Sequence, residues 1–168
     1  MAKILVLNGP NVGLIGLREP HLYGTDDLET TMQRLRERAQ ADGVELEVLT
    51  SNHEGVLVDR VHEVVRAKAD GSNDVTAALV NPGGLTAYGI SLLDALIAAE
   101  LDVVEVHVSN RFRKNSDEKR GGFDLERDLL AKYAIGQVLG LGVMGYDFGL
   151  EWLLANGYGA PAGGSRAR

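Results

Sequence analysis

Glu105, His107 and Ser109 alternate with valines in "VEVHVSN" (104–110), so on a β-strand all three project from one face. A carboxylate beside an imidazole fixes its tautomer and raises its pKa, which makes the ring a better proton donor. A lone histidine on a sheet surface is more often a hydrogen-bonded structural group, so the neighbours decide. Arg18 and Tyr23 stand in "NGPNVGLIGLREPHLYG" (8–24), a glycine-rich stretch that follows an apolar run. An unassisted tyrosine is a poor base at neutral pH, but a nearby guanidinium stabilises the phenolate and makes Tyr23 a candidate general base. The same pair could pack a loop through a cation–π contact. The glycines favour an active-site lid.

These residues need a scaffold that gathers them. "KILVLNG" (3–9), "VELEVLTS" (44–51), "VTAALVNP" (75–82), "VVEVHVS" (103–109) and "AIGQVLGLG" (134–142) are short apolar runs ending in Gly, Pro, Asn or Ser, and read as five strands. Asp26 and Asp27 offer an N-cap to a helix carrying Leu28, Met32, Leu35 and Ala39, which Gly43 closes. Val58, Val61 and Val65 share one face of a helix over 55–69; 89–99 is apolar almost all round and is expected to be buried; 146–157 forms the last helix. Strands alternating with helices predict a flavodoxin-like α/β three-layer sandwich with a five-stranded parallel sheet of order 2-1-3-4-5. One domain spans 1–156. The charge-dense 110–133 segment reads as a flap or surface helix, and 157–168 as a disordered tail.

In such a sheet ligands bind outside the carboxyl ends of the strands. Those ends deliver Asn8, Asn11, Arg18 and Tyr23 from the first, Asn52, His53 and Glu54 from the second, Asn81 and "PGGLT" from the third, and Glu105, His107 and Ser109 from the fourth. Only the last strand contributes no polar side chain to this rim.

Composition excludes other chemistries. The chain has 168 residues, 45% of them hydrophobic, a formal charge of -7 and no cysteine. An acidic balance argues against nucleic acid or an anionic membrane as partner, and without cysteine there is neither a disulfide nor a thiolate nucleophile. No signal peptide or membrane span is visible, so the cytoplasm is expected. "GLGVMG" (140–145) fits a dinucleotide fingerprint only superficially, because no strand follows to carry a ribose-binding acid. "NPGGLT" could cradle an anion ahead of Asp94, which faces a neighbour or solvent. His53, Glu54 and His62 lack the spacing of a metal site, and capping suits Asn52 and Glu54 better.

"LNGPN", "LREPHLYG", "SNHEGVLVDRVH", "NPGGLT", "VEVHVSN" and "GLGVMGY" follow one another in an order that resembles the type II 3-dehydroquinate dehydratases, over most of residues 3–155. The resemblance implies a flavodoxin-like hydro-lyase with no metal or organic cofactor, acting on a small cyclic hydroxy acid in the shikimate or quinate pathway, and a trimer-based homo-oligomer, typically a dodecamer. It implies that Tyr23 takes the proton beside the substrate carbonyl with Arg18 lowering its pKa. Asn11 holds the water that stabilises the enolate, and His107, oriented by Glu105, protonates the departing hydroxyl. Asn81 binds a ring hydroxyl, and the backbone at Val108 and Ser109 takes the carboxylate, with Asp94 carried as a further substrate contact. Two positions depart from the family. Ala87 replaces a substrate-binding His, and Leu93 replaces an Arg. In the rebuilt segment Lys114 and Glu118 occupy positions where arginines are expected, leaving Arg111, Arg113 or Arg120 as candidate replacements, with Arg113 the expected substrate contact. These losses motivate an alternative, a paralogue using the same Tyr/His machinery on another carbocyclic or hydroxy acid.

Overall fold

A computed structural model describes residues 1–17, 26–112 and 127–160. Its sheet contains β1 (Lys3–Asn8), β2 (Glu45–Thr50), β3 (Val75–Asn81), β4 (Val103–His107) and β5 (Gly136–Leu139), all parallel, in the order β2-β1-β3-β4-β5. This is the expected flavodoxin-like order. The central strand β3 is buried at every residue, as a parallel strand covered on both faces must be.

Among the described residues four helices supply that cover: α1 (Leu28–Ala41), α2 (Glu54–Asp70), α3 (Ile90–Ala98) and α4 (Met144–Ala155). Ile4, Val6, Leu79, Val104 and Val106 pack against Met32 and Leu35 of α1 and Leu150 and Leu153 of α4. The alternate residues Leu5, Leu7, Ala78, Val80 and Val103 pack against Leu57, Val61 and Val64 of α2 and Leu92, Ala95 and Leu96 of α3. Strand alternation thus feeds two apolar layers, one on each side of the sheet. Among the described residues no helix is long and apolar enough to cross a membrane.

Several local expectations change in the folded chain. Asp27 does cap α1, its carboxylate accepting the Thr30 N–H at 3.0 Å. Glu54 caps a helix other than its own: it accepts the Leu92 N–H of α3 at 2.9 Å, while Asn52 accepts the Asn11 N–H at 3.0 Å. The capping partners are set by strand order, which brings loops distant in sequence together. Helix α3 is not buried all round, since Ile90 and Ile97 are exposed. It lies on an outer layer, where only one face meets the sheet. Strand β4 ends at His107, so Ser109 stands beyond the ladder; the chain leaves it as the His107 and Val108 carbonyls accept the Gly140 and Gly142 N–H groups. Beyond residue 156, Tyr158 is buried, its hydroxyl donating to Asp102 at 2.7 Å and its carbonyl accepting from Thr76 at 2.6 Å.

Candidate active site

Two neighbouring loops set the floor of the rim. The Gly9 N–H donates to the Asn81 carbonyl at 2.8 Å, and the Gly84 N–H donates to the Pro10 carbonyl at 3.0 Å. This approach leaves no room for side chains: a Cβ on Gly9 would strike the Pro82 carbonyl, and one on Gly83, whose φ is +53°, would meet Val12 Cγ2 at 2.8 Å. The "NPGGLT" stretch is folded as a 3-10 turn over Gly83–Leu85 and locked to the first loop. Asn11 occupies the left-handed region at φ 69°, exposed at the lip of that loop.

Below the lip, Asn8 is in register with Thr50 on one side and Asn81 on the other, a polar row across three strand ends. Asn8 Nδ2 donates to Thr50 Oγ1 at 3.2 Å; from beneath the sheet the Tyr146 hydroxyl donates to Asn8 Oδ1 at 2.7 Å and accepts from Asn81 Nδ2 at 2.8 Å. Burial pushes the Tyr146 phenol well above its ordinary pKa, so the group is a fixed neutral linker. Asn81, expected to contact substrate, is itself buried and held by Tyr146.

The pair expected to transfer protons lies on the opposite face of the sheet. Glu105 and His107 are both buried, and His107 Nε2 lies 2.7 Å from Glu105 Oε1. The fifth strand joins the site after all: Gln137, in register with Glu105, donates to Glu105 Oε2 at 2.6 Å. A second carboxylate comes from the 127–130 turn. Asp128 Oδ2 is 3.7 Å from His107 Nε2, 2.7 Å from Arg111 Nη1 and 3.2 Å from Gln137 Nε2. Burial by itself would lower the His107 pKa, but Asp128 and Glu105 together outweigh it and hold the imidazole above its ordinary value. Burial would likewise raise Asp128; its contacts with His107 and Arg111 win, and its carboxyl sits below the usual range.

Glu105, His107 and Asp128 present one potential ligand atom each within 4.8 Å of one another. Those atoms are already engaged: Glu105 binds the imidazole and Gln137, and the Arg111 guanidinium supplies the positive charge at Asp128. This donor set does not fit a resident cation, because binding one would break these contacts and set it against a guanidinium.

The structure therefore brings Asn11, Asn81, Glu105, His107 and the Val108–Ser109 backbone to one end of the sheet. Asp94 lies on the exposed surface of α3, Ala87 is buried, and Leu93 is half-buried against the core. Arg18, Tyr23 and Arg113 lie outside the described residues. Sequence reasoning missed Asp128, Gln137 and Tyr146. The lone polar residue in "AIGQVLGLG" could have signalled Gln137, and the "GY" that ends the last glycine motif could have signalled Tyr146.

A family model described as dehydroquinase class II matches residues 2–154. A 3-dehydroquinate dehydratase of Halothermothrix orenii is 40% identical over 151 residues, covering 90% of this chain and 93% of that protein. A catabolic 3-dehydroquinase 2 of Aspergillus flavus is 40% identical over 156 residues, covering 93% and 95%. The crystal structure of the type II dehydroquinase from Butyrivibrio crossotus superposes with a TM-score of 0.75 at 31% identity, covering 91% of this chain and 97% of that one.

Proposed function

The chain belongs to the class II dehydroquinase family, and from that footing we propose how its rim removes water from 3-dehydroquinate. The enzyme is a hydro-lyase acting on a small cyclic hydroxy acid and yielding 3-dehydroshikimate. The observation that carries the residue assignment is the buried Glu105–His107 pair at the carboxyl end of β4.

Elimination needs a base for the proton beside the carbonyl, a donor to the enolate oxygen and an acid for the leaving hydroxyl. Tyr23, made more acidic by Arg18, is the base in this reading, on sequence alone. Asn11, at the exposed lip, holds the water that stabilises the enolate. His107 hands its proton to the hydroxyl, which leaves as water. With Nε2 engaged by Glu105, Nδ1 is the nitrogen turned to the substrate. Asn81 meets a ring hydroxyl and the backbone at Val108 and Ser109 takes the carboxylate, with Arg113 added on sequence alone; Asp94, exposed on α3, stands apart from these contacts. The Ala87 side chain offers a ring hydroxyl no hydrogen bond.

A homo-oligomer accords with this reading. Leu141, Met144, Phe148 and Trp152 are all exposed, and the last three follow one another at helical spacing along α4.

The assay is the rise in absorbance of the conjugated enone when the protein meets 3-dehydroquinate. Turnover is expected from the wild type, with a loss of several orders of magnitude in Tyr23→Phe. A well-folded wild type without signal would overturn the substrate, and a Tyr23→Phe variant with near-normal turnover would overturn the base.

A further inference from the structure

His107 sits in a larger set of charges than a Glu–His pair requires. Asp128 Oδ1 accepts the Leu130 and Ala131 N–H groups, each at 3.2 Å, and so caps its own turn. Its other oxygen faces His107, Gln137 and Arg111. The turn is fixed from two sides: the Leu129 N–H donates to the Thr86 carbonyl at 3.0 Å, and Leu130 is buried in the α2–α3 layer. Arg111 is fixed as well, because Nη2 donates to the Arg127 carbonyl at 2.6 Å.

The charges can be counted. With both carboxyls ionised, Glu105 and Asp128 each contribute a negative charge and Arg111 a positive one, and a protonated imidazole then brings the group to neutrality. Other elements around His107 add little: β3 carries no charged residue, β5 contributes neutral Gln137, Glu54 of α2 is spent on the α3 N-terminus, and Arg127 of the turn itself, Lys132 after it and Asp94 of α3 are exposed. In a water-poor site, an uncompensated charge is far costlier than in solvent.

We infer that Asp128 is a positioning residue for His107, a second carboxylate that, balanced by Arg111, keeps the imidazole loaded with its proton until the hydroxyl leaves. The catalytic consequence rests on the reading of His107 as the leaving-group acid. The charge relation itself does not, and it can be read without substrate.

The test is a titration of the His107 imidazole by NMR in the full chain, its signal assigned by its loss in His107→Gln, for the wild type, Asp128→Asn and Arg111→Gln. Asp128→Asn keeps the Oδ1 cap while removing the charge and the acceptor that faces Arg111 and Gln137, and is expected to move the titration down by about one pH unit. Arg111→Gln leaves two carboxylates without their counter-ion and is expected to move it up. The basic limb of kcat should follow in both variants. A merely structural role for the turn would weaken both variants without moving the titration in opposite senses. Shifts in the same direction, or no shift in either variant, would overturn the proposal. A normal titration pattern in a protein that does not turn over 3-dehydroquinate would instead refute the substrate and leave the charge relation standing.

Discussion

Tyr146→Phe removes one oxygen atom and strands two buried side chains. In the wild type that hydroxyl donates to Asn8 Oδ1 at 2.7 Å and accepts from Asn81 Nδ2 at 2.8 Å, and all three residues are buried. Asn8 keeps Thr50 through Nδ2, and Asn81 Oδ1 keeps the Gly83 N–H at 3.3 Å, but the other half of each amide has no replacement at hand. A buried polar group left unsatisfied costs about 1–3 kcal/mol, so two of them place the loss at about 3 kcal/mol. For a chain of this length that is a fall of about 6–12 °C in Tm. Urea unfolding at a single protein concentration measures it. Tyr133→Phe is the comparator: its hydroxyl also reaches carbonyls, those of Leu96 and Leu101, but the residue is half-exposed, so water can replace it at a cost of about 1 kcal/mol. Combining Tyr146→Phe with Asn8→Ala should recover part of the sum, with a coupling of about 1–2 kcal/mol. Strict additivity, or a Tyr146→Phe cost no larger than that of Tyr133→Phe, would refute the argument that this hydroxyl ties the three strand ends together.

Further expectations follow from local geometry. Gly83→Ala forces a side chain into positive φ and against Val12 and Pro10, and should cost about 3 kcal/mol in denaturant, whereas Gly55→Ala, in α2 with open space around it, should gain about 0.5 kcal/mol. Arg60 grips Glu47 with two hydrogen bonds, at 2.5 and 2.9 Å, and holds its carboxyl below the ordinary range. Because the folded pKa is the lower one, the contribution is complete above the unfolded carboxylate range and is lost as pH falls through the folded value. Glu47→Gln should therefore cost about 1 kcal/mol at neutral pH and flatten the acid limb of a Tm-versus-pH curve; an unchanged limb would refute it. The Tyr23→Phe loss and the opposed Asp128 and Arg111 shifts complete the set.

What could be read before folding was whatever is written in local period. The β-branched runs and the intervening helical stripes carry their own signal, and parallel order follows from their alternation, so the sheet was legible. Glu105 and His107 were legible for the same reason, since strand alternation alone puts them side by side. Register is a different kind of information. That Asn8 lies level with Thr50 and Asn81, or Glu105 with Gln137, depends on how separate strands slide past one another, which no single run encodes. Asp128 was hidden in a charge-dense stretch, 110–133, in which nothing in the sequence distinguishes the acid that folds back onto His107 from its acidic neighbours. The exposure of Ile90 and Ile97 escaped because an apolar run cannot report that its helix lies on an outer layer.

The most direct test of the central claim separates the two proton transfers. Wild type and His107→Ala are compared for enone formation and for exchange of the substrate proton beside the carbonyl with solvent deuterium, after thermal unfolding has established that both are folded. If His107 is the leaving-group acid, the variant loses elimination by several orders of magnitude while exchange survives with a much smaller loss. Equal losses in both would contradict the assignment and move His107 to the enolisation step.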